Sequence, residues 1–325
     1  MGQGSIPDLS IVVVSYNTAT MTINALKSIF DTAGDLKFEI LVCDNKSHDG
    51  SADRIENAFA ADIGGRLKLI RSSENLGFGR ANNMMAQQAQ ANLILLLNPD
   101  TIVMPNALQN LLEFSYRVPH AQIWGGRTLN GDGILDPNSV WGKMTLWSLF
   151  CYSLGFQKLF PRSSIFNPES YGGWCRDTER AVDVVAGCYL LISTELWRLL
   201  GGFDERFFMY AEEDDLCMRA SVFGARPRFT PTSEIIHFGG ASEKVYSGKM
   251  VKLLTGKMTL AQKHWPNWKL ILARTILATA VVLRSKILHL LGYLGGGHRL
   301  QKLATEWQVV WQQRKVWMKG YIDGS

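Results

Sequence analysis

Four successive acids, Glu212-Glu213-Asp214-Asp215, are the sharpest chemical feature of this 325-residue chain. Carboxylates this close repel one another, which raises the pKa of at least one and suits a general base working near neutrality. The competing reading is a solvated helix N-terminus, where acids complement the macrodipole. Four more polar clusters each follow a short apolar run. They are Ser15-Tyr16-Asn17, the stretch Asp44-Asn45-Lys46-Ser47-His48-Asp49-Gly50-Ser51, the loop Asn75-Leu76-Gly77-Phe78-Gly79-Arg80-Ala81-Asn82, and Asn98-Pro99-Asp100. Any one could be a turn or a helix cap, because Asp, Asn, Ser and Gly are what turns use. Four on one sheet edge are less easily explained by turns alone.

Those clusters need a scaffold that gathers strand ends. The runs Leu9–Ser15, Phe38–Cys43, Leu67–Ile70 and Leu93–Leu97 read as buried strands. Between and after them, helical spacing covers Thr18–Phe30, Ala52–Phe59, Gly79–Ala89 and Pro105–Tyr116, with Pro at a favoured first position. Strands alternating with helices predict an α/β fold with a mostly parallel central sheet covered on both faces. Ligands of such sheets bind at the carboxyl ends of the strands, where the clusters lie. Residues 120–180, rich in Gly, Trp and Tyr, read as insertion loops and short helices. A strand at Val182–Ile192 follows, then helices at Glu195–Leu200 and Glu212–Phe223, with strands at Arg226–Phe229 and Glu234–Phe238. From Lys249 onward the pattern is mostly helical. The expected division is a catalytic domain over 1–243, with halves of about 8–118 and 119–243, and a basic helical region over 244–325.

With 46% hydrophobic and 19% charged residues, the chain is globular and excludes a disordered or collagen-like protein. Its net charge of +5 hides a split. Residues 1–243 carry 20 Lys and Arg against 27 acids, a net −7, whereas 244–319 carry 14 against Glu306 alone, a net +13. Such asymmetry suggests a polyanionic partner, either nucleic acid or an anionic membrane. No nucleic-acid module accompanies the charge, so nucleic acid is the weaker reading. Five cysteines without Cys-x-x-Cys spacing argue against a disulfide framework or zinc knuckle and favour a reducing compartment. Nothing at the N-terminus reads as a signal peptide, so a cytoplasmic protein is expected.

The succession VVVSYN, VCDNKSHDGS, ENLGFGRANN, LNPDT and FFMYAEEDDLCMR resembles family 2 glycosyltransferases of the GT-A fold, and bacterial rhamnosyltransferases in particular. The resemblance covers roughly residues 9–240. It implies that Asp44 reads a pyrimidine base, its carboxylate accepting the N3–H in a charge-assisted hydrogen bond. It implies that Ser15, Asn17 and Asn75 line the nucleotide pocket, partly through backbone groups. Arg80 would neutralise a diphosphate, with Gly77 and Gly79 letting backbone approach the ligand. Asn98-Pro99-Asp100 stands where the family has its DxD motif, the first Asp replaced by Asn. Asp100, with His237, would hold Mg²⁺ or Mn²⁺ weakly, mainly together with the donor. In the family's Glu-Asp-x-Asp pattern the second acid is the base, which here is Glu213, one methylene longer. Glu212 and Asp215 would contact the acceptor or hold the helix start. Trp174 could stack on a sugar, or simply be core.

The resemblance thus implies an inverting glycosyltransferase that moves a sugar from a dTDP- or UDP-sugar donor, above all L-rhamnose from dTDP-L-rhamnose, to a lipid-linked saccharide in cell-surface polysaccharide synthesis. The alternative is a non-catalytic nucleotide-sugar-binding or scaffold protein at a membrane. The tail bears on this. Over residues 270–294, Arg274, Arg284 and Lys286 interrupt the apolar run, each costing about 2.5–3.5 kcal/mol near a bilayer centre. Arg274, Thr275, Thr279, Ser285, Lys286 and His289 share one side, and Leu272, Ile276, Leu283, Ile287 and Leu290 the opposite one. Arg284 is the exception. That pattern fits a helix lying in an interface, peripheral on the cytoplasmic face of the inner membrane. The alternatives are helices packed on the catalytic body, or a homodimer contact through exposed tail aromatics.

Overall fold

The computed structural model describes residues 6–239 and 245–321. Its strands are β1 (Leu9–Ser15), β2 (Phe38–Asp44), β3 (Leu67–Arg71), β4 (Leu93–Leu97), β5 (Thr101–Val103), β6 (Ile123–Leu129), β7 (Leu135–Asp136), β8 (Val140–Trp141), β9 (Arg180–Ala181), β10 (Val184–Val185), β11 (Tyr189–Ser193) and β12 (Arg228–His237). The main sheet runs β3-β2-β1-β4-β11-β6-β12-β5. β1, β2, β3 and β4 are parallel neighbours, β11 is antiparallel to β4 and β6, and β12 is parallel to β6. The expected α/β architecture is therefore present.

The helices α1 (Ala19–Thr32), α2 (Ser51–Ala58), α3 (Gly77–Ala86) and α4 (Ala107–Arg117) connect the first strands. On β1, Ile11, Val12 and Val13 are all fully buried. A run apolar at every position, rather than alternating, is what a strand covered on both faces needs. One face packs against Leu26 and Ile29 of α1 and Leu108, Leu111 and Phe114 of α4. Each such side chain contributes about 1.5–3 kcal/mol on burial.

Three expectations are corrected. Residues 123–129, read as loop, form the central strand β6. Gly125 and Gly126 hide it, yet the packing requires both: a β-carbon on Gly126 would overlap the Ser233 carbonyl oxygen, and one on Gly125 would lie 2.5 Å from a Val185 methyl. The single strand expected over 182–192 is two, β10 and β11, interrupted at Ala186-Gly187-Cys188. The two short strands expected over 226–238 are one, β12. Its register against β6 shifts between Phe229 and Glu234, which accommodates Pro231 at a bulge. The three-residue β5 starts on the last residue of the LNPDT motif and has no counterpart among the expected strands. It pairs antiparallel with β12, placing Thr101 opposite His237.

The described residues form two compact units, one of 6–141, 175–208 and 213–239, the other of 142–174, 209–212 and 245–321. The second is helical. It holds α5 (Leu146–Leu154), α6 (Phe156–Leu159), α9 (Tyr246–His264), α10 (Asn267–Leu291), α11 (Gly297–Gln312) and α12 (Arg314–Trp317). In the first, α7 (Thr194–Leu200) follows β11, and α8 (Glu212–Val222) begins on the acidic cluster. α10 buries Ala273, Leu277, Ala280, Val281 and Ser285. The side expected to be apolar is left outward, with Leu272, Leu283, Ile287 and Leu290 all exposed. Arg284, the charge that broke the pattern, donates to the Tyr152 carbonyl and lies over the Tyr152 and Trp307 rings at 4.4 and 4.9 Å. Among the described residues no helix is long and apolar enough to cross a membrane.

Candidate active site

The end of β4 meets the start of β11, because Tyr189 pairs with Leu97 and the Asn98 N–H donates to the Cys188 carbonyl at 3.1 Å, and the ends of β1 and β2 follow on the same sheet edge. The polar groups that follow β1, β2 and β4 lie at that edge of the first unit. At the end of β1 the Ser15 hydroxyl turns into a buried cluster with Thr22 and Thr18, at 2.9 and 3.3 Å. Its carbonyl accepts from the Asn45 N–H at 2.8 Å. Asn17, held at φ 54°, accepts from the His48 N–H at 2.7 Å, while its own N–H donates to the Ser47 hydroxyl at 2.9 Å. These bonds fix the β2 loop beside β1.

Asp44 closes β2. It is buried, its Oδ2 accepts from the Ser47 N–H at 3.1 Å, and its Oδ1 is buried with no partner. A buried carboxylate oxygen without a donor is costly, which makes it a place for a ligand N–H. Asn45, next to it, was not singled out in the sequence. It is buried and donates to Asn75 Oδ1 and the Gly77 carbonyl, both at 3.1 Å, while accepting from the Leu76 N–H at 2.8 Å. Asn75 therefore serves as a clamp, also accepting from the Gly77 N–H at 2.9 Å. Gly77 is at φ 74°, and a β-carbon there would come within 2.7 Å of the Phe208 carbonyl oxygen. A β-carbon on Gly79 would meet Phe203 at 3.3 Å. Protein packing thus accounts for both glycines that the sequence assigned to ligand approach. Arg80, on α3, is half-exposed and loosely paired with Glu74 at 3.5 Å and Glu205 at 4.0 Å. Such surface pairs hold a guanidinium with little energy.

After β4, Asp100 Oδ1 lies 3.2 Å from His237 Nε2, and Asn98 Nδ2 lies 3.3 Å from the same nitrogen. The antiparallel β5–β12 pairing brings His237 across from the LNPDT motif, 137 residues away. Burial works against a charge on His237, but its bonds to Asp100 and Cys188 outweigh it and push the pKa up to about 11. One carboxylate and one imidazole would suit a divalent cation that takes its other ligands from a diphosphate and water, provided the ion displaces the proton that Asp100 stabilises on His237. Among the described residues no group of three or more His, Cys, Asp or Glu is arranged to hold a metal.

The acidic cluster resolves into four different environments. Glu212, at the first turn of α8, is buried. Glu213 accepts from the Gly187 N–H at a long 3.5 Å through Oε1, and its Oε2 is buried without a partner. Burial raises its pKa above the ordinary carboxylate range. Asp214 accepts from the Trp141 indole N–H at 3.0 Å. Asp215, fully buried, is 2.7 Å from the Arg219 Nε one helical turn on. Arg219 also donates to the Leu200 and Gly202 carbonyls at 2.8 and 2.7 Å. These contacts anchor Asp215 in the first turn of α8. Trp141, Gly187 and Arg219 were missed. Gly187, a glycine inside an apolar run, was the available signal for a close approach. Trp174 lies in the helical unit, its ring edge-on to Tyr171 with centroids 6.0 Å apart.

Comparison with known proteins gives a family match, two relatives and a structural neighbour. The model of the family described as Glycosyl transferase family 2 matches residues 10–172. An N-acetylglucosaminyl-diphospho-decaprenol L-rhamnosyltransferase of Mycobacterium tuberculosis is 26% identical over 241 residues, 70% of this chain and 75% of that protein. Rhamnosyltransferase WbbL of Escherichia coli K12 is 26% identical over 249 residues, 74% of this chain and 86% of that one. The fold is similar to that of the mannosyltransferase PcManGT from Pyrobaculum calidifontis, solved in complex with GDP-Man and Mn²⁺. Its TM-score is 0.58 at 16% identity, over 99% of this chain and 89% of that one.

Proposed function

We propose, since this chain belongs to glycosyl transferase family 2 and is a rhamnosyltransferase-like glycosyltransferase of polysaccharide biosynthesis, that it moves L-rhamnose from dTDP-L-rhamnose to a lipid-linked saccharide, inverting the anomeric carbon. The observation that carries the mechanism is two buried carboxylate oxygens that accept no hydrogen bond, Asp44 Oδ1 and Glu213 Oε2, a state that Glu212 Oε2 beside them shares. The first accepts the N3–H of thymine or uracil. The second accepts the proton of the acceptor hydroxyl, whose oxygen attacks C1 of the sugar as the C1–O bond to the diphosphate breaks. One base and one displacement give inversion. The raised pKa of Glu213 makes it a stronger base than an exposed carboxylate.

Arg80, exposed and weakly held, turns to the leaving diphosphate. Asp100, with His237 once it gives up its proton, would hold a divalent cation, Mg²⁺ or Mn²⁺, together with the donor. Such an ion would supply Lewis-acid stabilisation of the leaving group. Asp215 and Arg219 fix the start of α8, and Asn45 and Asn75 fix the loops that frame the base. The basic helices of residues 245–321 hold the enzyme peripherally at the membrane that carries the lipid-linked acceptor, with α10 presenting Leu272, Leu283, Ile287 and Leu290. The sugar follows the rhamnosyltransferase relatives.

Release of nucleotide from a panel of dTDP- and UDP-sugars, with and without acceptor lipid, tests the reading. Acceptor-stimulated release of dTDP from dTDP-L-rhamnose above all other donors is expected. A stronger response to a UDP-hexose overturns the sugar. Binding of donor with no acceptor-stimulated release from any of them leaves a non-catalytic binding protein.

A further inference from the structure

Residues 146–166 hold a large aromatic surface in solvent. Trp147, Phe150, Leu154, Leu159, Phe160 and Ile165 are 38–68% exposed. The aromatic rings are not scattered. Trp147 stacks on Phe150 with centroids 5.6 Å apart, Phe150 stands edge-on to Phe156 at 6.3 Å, and Phe160 lies 5.0 Å from Phe166. Single exposed apolar side chains need no explanation, but a contiguous cluster does. Cations stand among them, with Lys158 and Arg162 exposed on either side of Leu159 and Phe160.

The same packing unit carries the exposed apolar side of α10, flanked by Lys269 and Lys286. α5 packs on α10, tied by Arg284 to the Tyr152 carbonyl. The helical region from 244 to 319 has a net charge of +13. A second copy of this chain would bring the same charge against itself, whereas anionic lipid complements it. Aromatic rings beside Lys and Arg match the headgroup level of a bilayer.

We propose that the α5–α6 excursion is a second membrane-contact element, its aromatic cluster inserting at the headgroup level of an anionic bilayer while α10 contacts the same bilayer. The element lies outside the basic tail and about 120 residues before α10 in the chain. It extends the reading of the tail as a membrane contact, and the experiment separates the two.

The full chain is partitioned onto phosphatidylcholine vesicles with and without phosphatidylglycerol, for the parent and two variants. Phe150→Asp/Phe160→Asp puts charge at two of the excursion's exposed aromatic positions, and Leu283→Asp/Leu290→Asp at two positions on the outer side of α10. Circular dichroism and nucleotide-sugar binding check that each variant is folded. The excursion variant is expected to lose phosphatidylglycerol-dependent partitioning by about tenfold or more. Phe150→Trp/Phe160→Trp is expected to keep it. Parent-like partitioning of the excursion variant, alongside loss in the α10 variant, overturns this proposal and leaves the tail reading standing. Parent-like partitioning of both overturns both. A parent that is dimeric by light scattering, and that Phe150→Asp/Phe160→Asp renders monomeric without loss of vesicle binding, makes the cluster a self-contact and overturns the proposal.

Discussion

A β-carbon on Gly256 would overlap the carbonyl oxygen of Tyr210. Gly256 lies in the middle of α9, where a glycine costs about 1 kcal/mol relative to alanine, and its use is this close approach. Tyr210 and Ala211 are both at φ 71°, a conformation that bulky L-residues avoid, and they lead directly into Glu212 and Glu213. The Tyr321 hydroxyl donates to the Met209 carbonyl at 2.8 Å in the same unit. α9 and Tyr321 therefore hold the strained segment that precedes Glu213, the proposed base.

Gly256→Ala is accordingly expected to cut kcat by about tenfold or more, because forced repacking costs about 1–3 kcal/mol and falls on the catalytic segment. The donor KM should change less, since the Asp44 end of the site is untouched. Tyr321→Phe should lower kcat in the same direction by a smaller factor, as one hydrogen bond is worth about 0.5–1.5 kcal/mol. Steady-state rates with saturating donor and acceptor decide the matter. A Gly256→Ala enzyme of unchanged kcat would show that the left-handed turn does not position the base.

Glu213→Gln should lower kcat by about 10²–10⁴, the usual value of a general base, while Glu212→Gln retains most of the rate. The reverse result would move the base to Glu212. The raised pKa of Glu213 has two further consequences. Activity needs the ionised form, so the acidic limb of kcat/KM should fall above the ordinary carboxylate range. For stability the sign is opposite. A carboxyl whose native pKa exceeds its unfolded value contributes stability that is present below the unfolded pKa and lost as pH rises through the native one. Removing that charge should therefore raise the melting temperature of Glu213→Gln above the parent's at pH above the native pKa, and much less below the unfolded one.

Asp44→Asn should weaken the donor and leave the base alone. A hydrogen bond to a charged group contributes about 1.5–3 kcal/mol, so the dissociation constant of the pyrimidine nucleotide should rise by roughly 10- to 100-fold. An amide oxygen can still accept from the Ser47 N–H, so the loop should stay in place. Calorimetric titration with dTDP measures it. Equal affinity for dTDP in the variant and the parent would remove Asp44 from base recognition.

Asp100→Asn and His237→Ala test the cation without relying on turnover alone. Two protein ligands hold a hard divalent ion weakly, so Mn²⁺ should bind appreciably only when dTDP is present. Mn²⁺ titration with and without nucleotide should show that dependence in the parent and its loss in both variants. Tight Mn²⁺ binding by the nucleotide-free protein would contradict it. Chelation should abolish transfer, and added Mg²⁺ or Mn²⁺ should restore it.

How far the sequence reaches depends on the range of the interactions. β1 is legible because Ile11, Val12 and Val13 are buried on both faces, and an unbroken apolar run states that locally. β6 is not, because its glycines are explained by Val185, Tyr189 and Ser233, all distant in the chain. Asp44 could be singled out by family pattern, but Asn45, which does the clamping, bonds to residues 30 and 32 positions away. His237 was placed near a cation by resemblance alone. What sets it against Asp100 is the short pairing of β5 with β12, and a three-residue strand leaves almost no pattern.

Asp215 is the case where charge spacing had more to say than was taken from it. Asp215 and Arg219 are four apart, a pair that a helix brings together. Because Asp215 is fully buried and Arg219 also bonds the Leu200 and Gly202 carbonyls, this ion pair ties α8 to the turn after α7. Asp215→Asn leaves the guanidinium partly buried without its counter-charge, and breaking such a pair costs about 3–5 kcal/mol when burial is complete. Arg219 is 20% exposed, so a loss nearer the lower end is expected. That loss should appear as a lower denaturant midpoint with an unchanged slope. The acidic limb of kcat/KM should stay where it is in the parent, since Glu213 keeps its surroundings. A variant of parent-like stability whose acidic limb shifts instead would return Asp215 to the chemistry.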